Sequence, residues 1–365
     1  MIQTRRGRIL RELFSREGIR GFAVQVEDRE EKCIVYPRLL GEIEPGDEVL
    51  LNTTADALHL GSGGYHYVIA SLNPVEKDFK PGGHIMKLRY TPLQLKVLSV
   101  EEEGSPFHEE MLQADSLENT PVLVATLHSM LAPLCLELLA RKVKVAYVMT
   151  DGAALPIAFS HTVDWLKKCR ALAGTVTIGH AFGGDLEAVN VYSGLLAAKK
   201  VIGADIIIVS MGPGIVGTGT KWGFTGIEQG EILNAVDTLQ GIPIAVPRIS
   251  FADNRERHRG ISHHTRTVLA RVCKISSLVP LPMLDEEKNA FILEQVANEK
   301  MFGLHRFCME EANSTIQLLK ESGLEITTMG RGIDQERDFF MALGAAAITA
   351  TRLLQGQVPR YIKLA

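Results

Sequence analysis

The stretch richest in groups able to do chemistry is Arg248-Ile249-Ser250-Phe251-Ala252-Asp253-Asn254-Arg255-Glu256-Arg257-His258-Arg259-Gly260-Ile261-Ser262-His263-His264-Thr265. From Arg248 to Lys274 seven Lys or Arg residues stand against Asp253 and Glu256, in a chain whose formal net charge is −4. Ser262 has the type and position of a helix N-cap, which puts His263, His264 and Thr265 in a first turn. The free N–H groups of such a turn, beside the guanidinium forks of Arg255, Arg257 and Arg259, suit a phosphate or carboxylate. A first-turn imidazole stays neutral at pH 7 because the helix end disfavours its charged form, so His263 or His264 can act as general base, with Asp253 as a further carboxylate. The plainer alternative is a solvated basic loop with its caps.

A second set of candidates is Gly212-Pro213-Gly214-Ile215-Val216-Gly217, followed by Gly219 and Thr220, directly behind the apolar run 205–209. Glycine lets a backbone approach phosphate closely and turn its N–H groups toward it. The GxGxxG spacing is that of a dinucleotide site, but the next helix is expected only from Gly226, where Thr225 and Glu228 have capping-box spacing. A dinucleotide fingerprint needs its helix to start inside the glycines and belongs on the first strand. An anion-cradling or lid loop is the leading reading, with a structural turn as the alternative. Asp151, ahead of Gly152, is the best-placed carboxylate for moving a proton, or else a turn aspartate. Arg331 lies in a further Gly-rich loop, Thr328-Met329-Gly330-Arg331-Gly332, and joins the anion-binding candidates.

No HExxH or His-x-x-x-His spacing occurs, and adjacent helical residues diverge by about 100°, so His263 and His264 do not readily share a metal ion. Metal held by one of them with His128, His180, Asp151 or Asp253 stays as an alternative. The five cysteines are odd in number and scattered, with no CxxC pair, which argues against a disulfide framework or thiolate zinc site and fits a reducing compartment. Without a GxSxG elbow, and with Cys135, Cys169, Cys273 and Cys308 on apolar helix faces or in strand starts, neither serine nor cysteine nucleophile chemistry is expected.

These groups need elements to position them. Residues 1–100 read as a small β-rich, barrel-like domain: Phe22, Val24 and Val26 alternate with polar or small residues, as do Met86, Leu88 and Tyr90, then Leu93, Leu95 and Val97. Glu44-Pro45-Gly46-Asp47 has Pro and Gly where a type II turn wants them. Residues 101–120 read as an acidic linker, since Ser99–Thr120 holds seven acids and no Lys or Arg. From 121 to 365 apolar runs without alternation (122–127, 143–149, 175–178, 205–209, 242–246, 275–279 and 324–328) are separated by helical segments. That pattern predicts an α/β domain with a doubly wound, Rossmann-like parallel sheet; a closed (β/α) barrel is the alternative, short of an eighth strand. In either fold the loops beyond the strand carboxyl ends make the site, and hydroxyls, His, Asp and Gly follow nearly every strand here.

Composition narrows the classes. Apolar residues at 46% and charged residues at 22% are ordinary for a globular chain, and the charge gives no pull toward nucleic acid or membrane. The N-terminus has no apolar signal core, and the apolar stretch 339–351 is too short to span a bilayer, so a cytoplasmic protein is expected. Nothing names a cofactor, and self-association is left open.

Three segments together, Ile43–Thr54 with Gly61–His66, the Gly212–Thr220 loop and Arg248–Thr265, resemble an uncharacterised domain-of-unknown-function family of Gram-positive bacteria. The resemblance runs nearly the whole chain and implies a bacterial cytoplasmic protein with no activity to carry over. The residues themselves favour an enzyme, transferase or hydrolase, acting on a small anionic, phosphate-bearing ligand. The rivals are a non-catalytic ligand sensor and a metal-assisted hydrolase.

Overall fold

The computed structural model describes residues 1–61, 63–74, 78 and 82–362. It divides into two compact units, Met1–Gly82 with Leu88–Lys96, and Gly83–Lys87 with Val97–Ala365.

The smaller unit is a closed barrel of β1 (Thr4–Arg16), β2 (Ile19–Val26), β3 (Arg29–Val35), β4 (Glu48–Asn52) and β5 (Tyr65–Ser71) in the order β1-β2-β3-β5-β4. Every pair is antiparallel except β3 with β5, and closure removes the free edges that would invite association. Phe22, Val24, Cys33, Val49 and Leu51 form its buried centre. The turn before β4 is as expected: Gly46 has φ 100°, and the Asp47 amide donates to the Glu44 carbonyl at 3.1 Å.

The alternation at 86–90 does not continue as a strand. Leu88 and Tyr90 have φ of 52° and 59°, and it is Lys87 that is buried. In the larger unit the Lys87 ammonium donates to the Glu187 carboxylate at 2.8 Å and to the Thr177 carbonyl at 2.9 Å. A charge can be buried only with such partners, and here that pairing overrides the polar-out pattern. The acidic stretch also has buried members. Val100 and Leu117 pack in a core, and Glu102 accepts from the amides of Ser99 and His84 at 2.5 and 2.8 Å.

The larger unit holds an open sheet of eight parallel strands: β6 (Pro121–Val124), β7 (Val145–Thr150), β8 (Gly174–Thr177), β9 (Leu186–Glu187), β10 (Ile206–Met211), β11 (Ile242–Ala245), β12 (Leu278–Pro282) and β13 (Arg306–Glu310). Their order is β9-β8-β7-β10-β6-β11-β12-β13. This is the doubly wound, Rossmann-like arrangement, and the closed-barrel alternative does not form. The run at 324–328 stays outside the sheet; Thr327–Thr328 pairs with Arg331–Gly332.

Helices cover both faces. Against one pack α1 (Leu131–Ala140), α2 (His161–Lys168), α7 (Asn313–Glu321) and the long α8 (Arg337–Leu354). Against the other pack α3 (Val191–Lys200), α4 (Glu228–Thr238) and α6 (Glu286–Asn298), with the short α5 (His263–Thr267) beside them. Gly344 lets α8 approach α7 closely, since a Cβ there would lie 1.9 Å from the Thr315 hydroxyl oxygen.

Strand order fixes where a crevice opens. From β6 the chain passes through α1 to β7, and from β10 through α4 to β11, on the opposite side of β6. Because β6 and β10 are neighbours, the loops leaving their tips part in opposite directions.

Candidate functional site

A cavity of about 350 Å³ lies at that parting. The loop after β6 supplies Leu127, His128 and Ser129, the loop after β10 supplies Pro213, Gly214 and Ile215, and the start of α2 supplies Ser160, His161 and Thr162. Apolar walls with a few convergent polar groups are the usual make-up of a small-molecule site.

The His128 ring sits between two fixed partners. Its Nδ1 is 3.3 Å from the Met211 carbonyl, which can only accept, so Nδ1 carries the proton. Nε2 is then an acceptor, 2.7 Å from Ser160 Oγ, and the serine hydroxyl donates to it. Ser160 is also the N-cap of α2, with Oγ accepting from the Val163 amide at 2.9 Å. Burial lowers His128 to a pKa of about 4, so the imidazole is neutral at pH 7. The Tyr147 hydroxyl donates to the Ser210 and Met211 carbonyls at 3.2 Å, anchoring the strand tip that orients the ring.

One strand over, at the tip of β7, Asp151 is exposed and accepts from the His180 amide at 2.9 Å. Glu228 points toward the same tip and accepts from the Thr150 hydroxyl at 2.7 Å. Burial, with Asp151 and Glu231 nearby, raises the Glu228 carboxyl to a pKa of about 7. The capping box expected of Thr225 and Glu228 does not form. The α4 N-cap is Ile227, the Thr225 amide donates to the Val216 carbonyl at 2.9 Å, and the carboxylate is left to face the strand tip.

The basic stretch folds into a self-paired knot. Asp253 accepts from Arg255 at 2.8 and 2.9 Å, from Arg248 at 3.1 Å and from Arg331 at 3.4 Å. The Arg255 hydrogen bond leads in holding the Asp253 carboxyl well below the usual range. Arg331 also donates to buried Glu336 at 2.6 Å, and Glu336 accepts from Ser250 at 2.8 Å. Arg255, Arg257 and Arg259 do not converge, because residues 256–258 form a turn of 3-10 helix instead of extended chain. Arg255 pairs with Asp253 and Arg259 lies 5.5 Å from the Phe291 ring centre, whereas Arg257 stays exposed and contributes positive field at His263 and His264.

Ser262 caps α5 as expected, accepting from the His264 amide at 3.4 Å. Its hydroxyl is also 2.8 Å from Nδ1 of buried His258. His264 stacks on Phe224 with ring centres 4.0 Å apart, and the His263 and His264 centres are 4.1 Å apart. Burial, then neighbouring positive charge, keeps all three neutral: His258 falls to about 3, His264 to about 4, and His263 is lowered likewise. Among the described residues no group of three or more His, Cys, Asp or Glu is arranged to hold a metal ion.

The glycine loop is a hairpin. Thr218 donates to the Gly223 carbonyl at 2.8 Å, and the Thr220 hydroxyl accepts from the Gly223 amide at 3.1 Å. Gly214 and Gly219 take φ of 104° and 77°, and Gly217 and Trp222 are exposed. Gly212 lies at its root, where a Cβ would come within 2.6 Å of the Ala154 carbonyl. Gly214 reaches the cavity; Thr220 is at the far end of the hairpin.

The sequence does not single out Ser160, having no GxSxG elbow to mark a serine, and offers Glu228 only as half of a capping box. Ser160 has only the local signature of a helix cap, and its partner His128 is 32 residues away. Glu228 has a local capping pattern that explains it away.

Among the described residues no helix is long and apolar enough to cross a membrane. No curated protein and no solved structure matches the chain. The model of a family described as a protein of unknown function, DUF3866, matches residues 32–347, and the chain belongs to that family.

Proposed function

We propose that the larger unit is an enzyme acting on a small anionic ligand held in the cavity between the tips of β6 and β10. The observation that carries this reading is the position of the cavity: it opens where adjacent strands send their loops apart, the usual ligand crevice of such sheets. The amides of His161 and Thr162 lie in the first turn of α2, where an N–H has no intrahelical acceptor, and the positive helix end favours an anion. Neutral His128, whose Nε2 is an acceptor at the cavity wall, can take a proton there; His161 and Glu325 also line the cavity. Asp151 and Glu228 form a second acid–base pair at the neighbouring tip, and Pro213, Gly214 and Ile215, at the root of the hairpin, close one side of the cavity. Arg255 and Arg331 hold Asp253 and support the frame.

The test is thermal shift with inorganic phosphate, phosphomonoesters and short carboxylates. An anion at a hundred times its dissociation constant adds about 2.7 kcal/mol of stability. His161→Pro removes one amide donor at the helix position where proline is best tolerated, next to an extended Ser160. The variant should keep its melting temperature and bind anion about 1.5–3 kcal/mol more weakly. No shift with any anion, or an unchanged affinity in His161→Pro, removes the anionic ligand from this site.

A further inference from the structure

We propose that Ser160 is a nucleophile activated by His128, and that the cavity takes a carboxylic ester whose acyl group sits among Leu127, Phe159, Ile215 and Leu324. This deepens the functional reading above and rests on the cavity being the ligand site: the anion held by the amides of His161 and Thr162 is the one the reaction generates, first the oxyanion and then the carboxylate product.

Four features meet at one point. The serine hydroxyl and the base are within 2.7 Å, and the only free lone pair of the ring is the one facing Oγ. The base is oriented from behind by the Met211 carbonyl, with Tyr147 bonded to the same oxygen. The cavity is walled by both residues. The amides of His161 and Thr162 lie in the first turn of the helix that Ser160 caps, without intrahelical acceptors, and are the nearest donors in the chain for an oxygen carried on the carbon that Oγ attacks. A cap alone explains the Val163 bond, but Asn or Asp would cap equally well, and neither requires an imidazole at its other side. Nucleophile, base, orienting group and oxyanion donors are together the constellation of acyl transfer.

The step balances with water as the only co-reactant. The Ser160 proton passes to His128 Nε2 as Oγ bonds to the acyl carbon. The bond from that carbon to the alcohol oxygen breaks, and the alcohol leaves with the proton from the imidazolium. Water then adds to the serine ester, giving a proton to Nε2. The bond from Oγ to carbon breaks, Oγ takes the proton back, and the free acid departs.

The experiment treats the full chain with diisopropyl fluorophosphate and locates the adduct by peptide mass spectrometry. The wild type should be modified on Ser160, with a rate that rises with pH through about 4 and is flat near neutrality, following His128. Ser160→Asn keeps a cap acceptor and has no nucleophile, so the helix stays and the adduct is lost. His128→Gln should label at least about a hundredfold more slowly. Circular dichroism of both variants establishes that they are folded. A wild type without an adduct on Ser160, or a His128→Gln labelled as fast as wild type, overturns the pair. An adduct without any anion-induced thermal shift keeps the pair and removes the anionic ligand, and a thermal shift without an adduct does the reverse.

Discussion

The Asp253 knot and the His128 cavity are both polar places in the larger unit, and they solve opposite problems. In the knot three guanidinium groups close on one buried carboxylate, with Glu336 and Ser250 taking what remains, so its charge is spent on itself. Among the described residues that line the cavity no ion pair forms. A neutral ring and a hydroxyl share one proton at the edge of open space, and the serine oxygen keeps one lone pair beyond its bonds to His128 and Val163. Paired charge marks where a fold binds itself; a few polar groups beside a void mark where it can bind something else.

The largest expected effect comes from breaking the knot. Asp253→Ala strips the carboxylate in contact with Arg248, which is buried, and leaves its cation to the more remote charge of Glu336. The cost should be about 3–5 kcal/mol in denaturant unfolding. Ser160→Asn should cost well under that, since a cap is retained. A loss below about 1 kcal/mol in Asp253→Ala would mean that the knot is not structural.

Acid should then separate the two regions. His128 has a folded pKa of about 4 against an ordinary value near 6.5, so between those limits the unfolded chain binds more protons. Its contribution is therefore complete above about pH 6.5, is lost as pH falls toward 4, and changes no further below that. His264, lowered to about the same value, acts in the same window, and His258 extends it downward. Asp253 is depressed from an ordinary value near 3.9, so its contribution is lost only below that. His128→Gln should flatten part of the slope between pH 6.5 and 4 and leave the steeper loss at lower pH in place. An unchanged slope above pH 4 would show that the ring is not held neutral by the fold.

How much of this was legible follows from what each residue needs locally. Strands β6, β7, β8, β10 and β11 announce themselves because burial on both faces demands continuous apolar runs, whereas β12 begins at Leu278, three residues beyond the start of the run expected at 275–279. Strand β13 escapes because Arg306 and Glu310 bracket its three apolar residues, and β9 because it is two residues long. Lys87 breaks the alternation through partners 90 to 100 residues away, which no window of sequence contains. The site divides in the same way. Strand tips, the Ser262 cap and Asp151 at its loop are local facts and readable. The Ser160–His128 contact and the turn of Glu228 toward Thr150 are products of strand order, and strand order is not written in any one segment. The basic stretch attracted attention because charges are conspicuous, and the fold used most of them against one another.

The smallest effects belong to three arginines that the alternation in Arg255-Glu256-Arg257-His258-Arg259 makes look equivalent. The turn at 256–258 gives them three different surroundings, so three alanine variants should rank themselves. Arg255→Ala removes one of three partners from Asp253; the side chain is partly exposed and Arg248 and Arg331 remain, so a loss of about 1 kcal/mol is expected. Arg259→Ala removes a cation from the Phe291 face at an exposed position and should cost about 0.5–1 kcal/mol. Arg257→Ala should stay within about 0.5 kcal/mol of wild type, as surface substitutions do. Its effect lies elsewhere: Arg257 helps hold His263 and His264 neutral, so both rings should become easier to protonate, which imidazole NMR titration reads directly. If Arg257→Ala instead proves the most destabilising of the three, or the two imidazoles titrate unchanged, then the stretch around Arg257 is packed otherwise, and the contrast between a closed knot and an open cavity has to be redrawn around it.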